Sequence, residues 1–167
     1  PQDTEPQAPG GQPLEQTEST GTTVPPGLQC EVSIISTKDV PSVWKEVYPI
    51  IDRCQVHNNG EIETQDYYEM ILDGNLQLWV ASDKEKIIAA MLTEFIAYPR
   101  KKVMRIIVLA GDRMDSWMGF FPAVEAAALG VGCTGMEVQG RKGWLRVLKD
   151  WECSYHILTK DIKHRLQ

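Results

Sequence analysis

The sequence predicts an α/β domain of the α+β type, in which a mixed, mainly antiparallel central sheet is flanked by helices. From Cys30 onward, stretches that alternate like strands and stretches with helical spacing of apolar residues follow one another. A near-continuous apolar run at residues 103–110 is typical of a strand covered on both faces. With 167 residues, of which 43% are hydrophobic and 24% charged, the chain fits one folded domain at residues 30–167.

Residues 1–29 differ from the rest because they consist mainly of Pro, Gln, Gly, Thr and Glu. Such a segment cannot bury enough apolar surface to offset the entropy of ordering it. The sequence therefore predicts an extended arm. Our hypothesis is that this arm lies against other protein subunits of an assembly.

The sequence of the first part of the domain predicts one strand and two helices. Residues 30–36 have the pattern of a strand. Asp39 and Pro41 are residues that favour the start of a helix, and this helix is predicted to end before His57. A second helix is predicted to begin at Thr64 and to end at residues 73–74, where an Asp-Gly pair stops it.

The remaining elements are expected to complete the sheet. Residues 76–82 and 87–98 predict a hairpin with a short polar turn, and residues 103–110 predict a central strand. A helix is predicted from Asp115 or Ser116, with Pro122 either kinking it or marking its true start. Three further elements are predicted: a strand at 135–139, a short helix at 142–149 and a last strand at 154–159.

Charge and cysteine spacing exclude several classes of function. The net charge of −6 disfavours binding of nucleic acid, because proteins that hold its phosphates are usually basic. No apolar run approaches a membrane span, and the first residues lack the pattern of a signal peptide, so we expect a cytosolic type of protein with no membrane partner. The 4 cysteines are far apart and the 3 histidines are not near them at metal-site spacing, so neither a metal site nor a disulfide framework is predicted.

The order strand, two helices, three strands, helix, strand, helix, strand resembles the GNAT superfamily of acyl-CoA N-acyltransferases over about residues 30–160. The resemblance implies that the strand at 103–110 splays from its neighbour. It also implies that the start of the next helix holds the pyrophosphate of acetyl-CoA through backbone N–H groups. The residues at that place are Gly111, Arg113, Met114, Ser116 and Trp117.

Two features of that family are missing from this sequence. The family's phosphate loop has the pattern Gln/Arg-x-x-Gly-x-Gly/Ala, whereas Asp112 and Asp115 lie here and would repel phosphates. The family's thiolate-protonating Tyr corresponds to Leu148 if Arg141 stands at the position of its Asn. We therefore expect that ordinary acyl transfer has been lost and that no cofactor binds. Glu94, which resembles a glutamate of some GNAT enzymes, is the candidate general base if the chain is an enzyme.

Three shorter stretches, residues 76–80, 98–103 and 140–148, resemble GNAT-like proteins of tailed bacteriophages and prophages. This resemblance implies a non-catalytic structural or binding component of a phage virion, at the head, portal or neck, anchored to other phage structural proteins by residues 1–29. Such a protein would be made in the host bacterial cytoplasm and reside in the virion. The alternative is a cytoplasmic, acetyl-CoA-dependent N-acetyltransferase with an atypical pyrophosphate loop.

Basic residues cluster in two segments of this acidic chain and predict a partner-binding surface if the two segments meet. Such a surface would bind an anion or an acidic partner and would suit a regulatory module. The other interpretation is that these charges are simply solvated. The residues are Arg100, Lys101, Lys102, Arg141, Lys142 and Arg146.

Overall fold

The computed structural model of the chain describes residues 30–160 and residue 162. The strands of the described residues are β1 (Glu31–Ile35), β2 (Gln77–Asp83), β3 (Lys86–Tyr98), β4 (Lys101–Gly111) and β5 (Gly135–Val138). Their α-helices are α1 (Val40–Asp52), α2 (Thr64–Leu72) and α3 (Phe121–Gly130). Short 3₁₀ turns lie at Arg53–His57, Met114–Ser116, Met118–Phe120 and Lys142–Arg146. The predicted N-terminal arm lies outside the described residues.

The strands form one sheet with the order β1-β2-β3-β4-β5. The strands β1 to β4 pair antiparallel, whereas β5 joins β4 in parallel. The long strands β3 and β4 pair from Tyr98 opposite Lys101 to Ala89 opposite Gly111. The prediction of a mixed, mainly antiparallel sheet flanked by helices is confirmed, and β4 lies inside the sheet between β3 and β5.

Helices cover both faces of the sheet, which explains the apolar runs in its inner strands. The helices α1 and α2 pack on one face, where Val47, Ile51 and Ile71 are completely buried. The helix α3 packs on the other face, where Phe121 and Val124 join side chains of β2, β3 and β4. Each large apolar side chain buried in these layers contributes about 1.5–3 kcal/mol. The two layers therefore hold the central strands in place.

The helix expected to begin at residue 115 or 116 begins at Phe121. Pro122 lies in its first turn, where a residue without an N–H is tolerated. The preceding residues form two 3₁₀ turns, and Trp117, which lies between the turns, and Phe120, which ends the second, are buried. Pro122 thus marks the true start of this helix, which was one of the two alternatives.

The last two predicted elements differ from the structure. A 3₁₀ turn at Lys142–Arg146 takes the place of the predicted helix at 142–149. The predicted strand at 154–159 is wrong, because residues 151–160 form no regular secondary structure. Leu148 and Trp151 instead attach this part of the chain to the core on the α3 side. Residues of types that favour strands do not form one where no neighbouring strand provides hydrogen-bond partners for their backbone groups.

Candidate functional site

The two parallel strands of the sheet separate halfway along β4. Pairing between β4 and β5 runs only from Val103 opposite Gly135 to Ile106 opposite Val138. The strand β4 continues to Gly111, so among the described residues no strand lies beside its edge at residues 107–111. This opening is termed the strand gap. Its edge presents backbone N–H and C=O groups that are open to another extended molecule.

A β-bulge lies where the strand gap begins. Leu92 of β3 pairs with Val108, and Thr93 pairs with Ile106, so Ile107 is an extra residue in β4. A bulge bends its strand and redirects the local backbone groups. The peptide groups around Ile107 are therefore turned relative to the rest of β4 at the point where the strand leaves β5.

Gly111 ends β4 where the backbone comes very close to β3. A Cβ at this position would lie 2.5 Å from the Ala89 Cα and 2.7 Å from the Ile88 carbonyl oxygen. The N–H of the next residue, Asp112, donates to that carbonyl at 2.9 Å. Only glycine permits this approach, and the loop that follows leaves the sheet at a fixed point.

Charged side chains of the loop at residues 111–117 are held by residues from other elements. Arg53, directly after α1, pairs with Asp112 at 3.0 Å. Arg113, whose φ of 53° is left-handed, pairs with Asp83 at the end of β2. Asp115 forms no ion pair with a residue that the structure describes. Of the two carboxylates expected to repel phosphates, Asp112 is thus paired with a cation, whereas Asp115 is paired with none in the described part of the chain.

The residues that the sequence predicts for cofactor binding form a compact turn. The N–H groups of Ser116 and Trp117 donate within it, to the carbonyls of Arg113 at 2.8 Å and Met114 at 3.2 Å. The Trp117 ring is buried in the core. The N–H groups of Met114 and Asp115 donate to no backbone carbonyl of the described chain. The turn thus offers two backbone donors beside the Arg113 side chain.

Glu94, the candidate base, belongs to a network of charged side chains across β3, β4 and β5. The Nη1 of Arg105 donates to the Glu94 carboxylate at 3.3 Å. The Nε and Nη2 of Arg105 donate to Glu137 at 3.1 and 3.0 Å, and Nη2 also donates to the Tyr98 hydroxyl at 3.1 Å. Burial alone would lower the pKa of Arg105, but the hydrogen bond and charge of Glu137, with Tyr98 and Glu94, raise it above its ordinary value. Two carboxylates therefore share one permanent cation.

This network lies close to the start of the strand gap. Glu94 follows Leu92 by two residues, so it is on the sheet face that α1 and α2 cover. Its partner Arg105 comes two residues before Ile107, where the gap begins. The Glu94 side chain is 26% exposed, which leaves part of the carboxylate accessible.

The two basic segments lie at opposite ends of the β4–β5 pairing. The first includes the start of β4, where Lys102 Nζ donates to the Val131 carbonyl at 2.9 Å. The second follows β5. A strand rises about 3.3 Å per residue, so roughly 13 Å of β4 separates Lys102 from Ile106, the last residue paired with β5. The two segments of the predicted surface therefore form separate clusters in the structure. One cluster is Arg100, Lys101 and Lys102 at the start of β4, and the other is Arg141, Lys142 and Arg146 after β5.

The structure adds two residues to the candidate site that the sequence does not indicate. They are Arg53 and His57, and both lie in the 3₁₀ turn after α1. The Nη1 of Arg141 lies 3.2 Å from the Nε2 of His57. Because a guanidinium can only donate, His57 accepts through Nε2 in this contact. Arg53 of the same turn pairs with Asp112, and the turn also contacts β4. The turn therefore lies along the α1 side of the strand gap, and only the fold places it there.

Other kinds of site are not found in residues 30–160. No group of three His, Cys, Asp or Glu side chains in this range is arranged to hold a metal ion. Within the same range, no helix combines the length and the apolar character needed to cross a bilayer. Burial raises the pKa of the Cys54 thiol, although Arg53 and Arg141 lie near enough to oppose that effect. A thiol with a raised pKa is a poor nucleophile at neutral pH.

Comparisons with protein-family models and with curated proteins find no match to this chain. Solved structures match it in fold. An aminoglycoside acetyltransferase from an uncultured soil metagenomic sample, in complex with sisomicin, has a TM-score of 0.58 and 14% identity over 83% of this chain and 97% of its own. A predicted acetyltransferase with acetyl-CoA from Clostridium acetobutylicum has a TM-score of 0.59 and 14% identity over 79% and 96%. The ribosomal-protein-alanine N-acetyltransferase from Brucella melitensis biovar Abortus 2308 has a TM-score of 0.60 and 6% identity over 80% and 99%.

These comparisons overturn the function expected first from the sequence. A non-catalytic structural component of a phage virion is contradicted, because most of the structures similar in fold, including the three above, are described as acetyltransferases. The comparisons likewise give no support to a phage origin or to a place in the virion. One of these similar structures is described with acetyl-CoA, which fits the alternative given by the sequence and not the expectation that no cofactor binds. The likeness extends over most of the described residues and leads to one conclusion about architecture: this chain has the GNAT fold.

Proposed function

We propose that this chain is an acetyl-CoA-dependent N-acetyltransferase with an atypical pyrophosphate loop. The observation that carries the proposal is the strand gap, where pairing with β5 ends at Ile106 and no strand of the described residues pairs with this edge of β4 up to Gly111. Backbone groups along such an edge can bond to the amides of an extended ligand, as they do when a peptide adds to a sheet. The pantetheine arm of acetyl-CoA is a narrow chain that contains such amides.

The loop after β4 offers groups that suit the phosphates of this cofactor. The N–H groups of Met114 and Asp115 have no backbone acceptor among the described residues, and Arg113 supplies a cation beside them. Successive N–H groups in a turn bind anions because their dipoles converge. We assign cofactor binding to this turn, in which Ser116 and Trp117 fix the shape. The assigned residues are Gly111, Arg113, Met114, Ser116 and Trp117.

The charges of this loop make it atypical. Arg113 pairs with Asp83, so this ion pair has to open before the guanidinium can bond to phosphate oxygens. Asp112 is compensated by Arg53 at 3.0 Å, whereas Asp115 has no such partner in the described chain. A carboxylate near an anion disfavours its binding. We therefore expect weaker cofactor binding than a glycine-rich loop provides.

Acetyl-CoA supplies an acetyl group activated as a thioester, and an acceptor amine has to lose a proton when its nitrogen bonds to the acetyl carbon. We assign Glu94 as the general base that takes this proton. The hydrogen bond from Arg105 at 3.3 Å holds its carboxylate near the start of the strand gap. The C–S bond of the thioester breaks as the N–C bond forms, and CoA leaves as a thiolate. Leu148, which corresponds to the family's Tyr if Arg141 stands at the position of its Asn, is buried and has no proton to donate, so the thiolate takes its proton from water.

The proposal is tested by calorimetric titration of the full chain with acetyl-CoA, followed by measurement of CoA release in the presence of primary amines. We expect micromolar binding and CoA release with at least one amine. The panel includes an aminoglycoside and a peptide with N-terminal alanine, because these groups appear in the names of two proteins with the same fold. A chain that binds no acetyl-CoA at millimolar concentration overturns the proposal.

A further inference from the structure

Two basic side chains converge on the 3₁₀ turn that follows β5. A Cβ added at Gly143 would lie 3.8 Å from the Nη2 of Arg146 and 3.9 Å from the Nε of Arg141. The two guanidinium groups therefore lie beside the same point. Neither forms an ion pair with a carboxylate of the residues that the structure describes. Like charges that converge in this way repel one another, and an anion placed between them offsets the repulsion.

The turn that carries these two arginines is anchored in the core. Trp144 packs against the apolar layer on the α3 side, and Leu148 is buried in the same layer. The N–H of Trp144 donates to the Arg141 carbonyl at 3.1 Å, and the N–H of Leu148 donates to the Trp144 carbonyl at 2.8 Å. A Cβ at Gly140 would lie 2.7 Å from the Cδ1 of Trp144, so the backbone passes close to this ring. The backbone of the turn is therefore fixed relative to the sheet.

Arg141 connects the place where the strand gap begins with the turn after α1. The N–H of Gln139, two residues earlier, donates to the carbonyl of Ile106 at 3.1 Å, where the pairing of β4 with β5 ends. The Nη1 of Arg141 lies 3.2 Å from the Nε2 of His57. The Arg141 side chain therefore lies on the α1 side of the strand gap.

The same side of the sheet carries the carboxylate assigned as general base. Glu94 lies on the face that α1 and α2 cover, and Arg105 bonds both to Glu94 and to Glu137 of β5. Glu137 precedes Arg141 by four residues, which is at most about 13 Å along an extended chain. A molecule on this side of the gap can therefore have its amine at Glu94 and a second group several bonds away at Arg141.

The local charge of this region is opposite to the net charge of the chain, which is −6. Burial raises the pKa of the Cys54 thiol, and the charges of Arg53 and Arg141 oppose that effect, so both cations lie near this thiol. Asp112 pairs with Arg53 at 3.0 Å. This leaves Arg141 and Arg146 as positive charges that attract an anion. Arginine binds carboxylate and phosphate groups through paired N–H donors.

We propose that the acceptor is a small amine that also carries an anionic group, a carboxylate or a phosphate, and that Arg141 and Arg146 bind this group. The inference rests on the proposed function, because it names the acceptor of the same site. The contact with His57 restricts the positions of the Arg141 guanidinium, which reduces the entropy that is lost when an anion binds. An amine with a second positive charge is disfavoured, because both arginines repel it.

The first test compares acceptors that differ only in charge. Release of CoA from acetyl-CoA by the full chain is measured with ω-amino acids, amino alcohols and diamines of equal length, and with ethanolamine phosphate beside ethanolamine. We expect kcat/KM to be about tenfold or more higher for the anionic amines than for the neutral ones, and lowest for the diamines. A preference for either anion supports the inference, and the two arms identify which anion is bound.

Two results of this test overturn the inference. In the first, neutral amines or diamines react as well as the anionic amines or better, and the proposed function then stands without the inference. In the second, none of the anionic amines releases CoA. Calorimetric titration with acetyl-CoA then shows whether the proposed function fails as well.

The second test assigns the preference to the two arginines, which are both exposed, so that their substitution leaves the fold intact. Arg141→Gln and Arg146→Gln should each lower kcat/KM for the anionic amines by about tenfold, through a higher KM. The kcat/KM for neutral amines and the Kd of acetyl-CoA should stay unchanged. Lys149→Gln removes an exposed cation from the same part of the chain and is the matched control. Arginine variants that keep the preference for anionic amines, with or without weaker binding of acetyl-CoA, overturn the inference.

Discussion

Arg105 and Glu137 are joined by two hydrogen bonds, in which the Nε and Nη2 of Arg105 donate to the same carboxylate oxygen at 3.1 and 3.0 Å. The two residues are partners in the β4–β5 register, one position before the pairing ends. Their side chains are 17% and 18% exposed, so solvent screens this ion pair less than one on the surface. The pair therefore holds β5 to β4 at the point where the strand gap opens.

Replacing Arg105 with Met should lower the free energy of unfolding by about 2–4 kcal/mol, because Glu94 and Glu137 then face each other without a cation. Arg53→Met is the matched control. The side chains of Arg53 and its partner Asp112 are 51% and 70% exposed. Ion pairs between such exposed side chains contribute at most about 1 kcal/mol. Urea unfolding at neutral pH measures both variants, and equal losses in the two would contradict the prediction.

Replacing Glu94 with Gln should lower kcat for acetyl transfer by about 10²-fold or more, because an amide cannot take a proton from the amine. The affinity for acetyl-CoA should stay unchanged, since Glu94 is assigned to the acceptor side. The amide oxygen of Gln still accepts from Arg105, so the network is kept. Glu125→Gln, an exposed carboxylate on α3, serves as the control. A Glu94→Gln variant with full activity would remove Glu94 from the role of base.

Replacing Gly111 with Ala should lower the free energy of unfolding by about 1–3 kcal/mol, because overpacking forces the backbone to shift. The new Cβ would lie 2.7 Å from the Ile88 carbonyl oxygen, a backbone atom that cannot move without disturbing the sheet. In the control Gly130→Ala, no atom lies within 4 Å of the added Cβ, and stability should be unchanged or rise by up to about 1 kcal/mol. Thermal unfolding of both variants checks this, and equal destabilisation would speak against the close approach.

Most of the sheet could be predicted because its strands have long apolar or alternating patterns. The predicted ranges for β3 and β4 differ from the structure by at most two residues at either end. Residues 154–159 show the limit of such patterns. Their residue types favour a strand, but a strand also needs a neighbour for its backbone groups, and that neighbour is not encoded locally. The start of α3 could be predicted only as one of two alternatives, because Pro122 is compatible both with a kink and with a first turn.

The site could be predicted only where it depends on adjacent residues. Gly111 and its loop are recognisable because they follow a buried strand. The side chains that neutralise or border the loop are not: Arg53 pairs with Asp112 across 59 positions, and His57 meets Arg141 across 84 positions. Contacts of this kind follow from the topology of the sheet, for which a single sequence carries no direct signal.

Stability should fall as the pH rises above about 8.5, the ordinary pKa of a cysteine thiol. Burial raises the pKa of Cys30, Cys54 and Tyr67. The unfolded chain loses these protons at the ordinary pKa values, whereas the folded chain retains them to higher pH. The stabilisation is therefore complete below the ordinary values and is lost as the pH rises toward and through the raised ones.

Urea unfolding at several values between about pH 7.5 and about 10 measures this dependence. Tyr67→Phe and Cys54→Ala should each show a smaller decrease, because each removes one of the titrating groups. Tyr67→Phe does so with little change in shape, and it serves as the more direct comparison. A free energy of unfolding that is constant over the whole range would contradict the prediction.

The two unlike charges of the loop should act in opposite directions on acetyl-CoA binding. Arg113→Ala should weaken binding by about 1–3 kcal/mol, which is the size of a lost charge-assisted hydrogen bond. Asp115→Asn should strengthen binding by about 0.2–1 kcal/mol, because it removes a carboxylate that repels the phosphates. Calorimetry measures both, with Arg100→Ala as the control, since Arg100 lies in the turn at the other end of β4.

The dependence on salt separates charge from shape in these variants. Both differences from the wild type should shrink as ionic strength rises, because salt screens exposed charges. A loop that does not hold the phosphates gives a different result: Arg113→Ala binds as well as the wild type and Asp115→Asn gains nothing. The phosphates would then have to lie elsewhere, and the cations to test next are Arg141 and Arg146 after β5, whose side chains both approach Gly143.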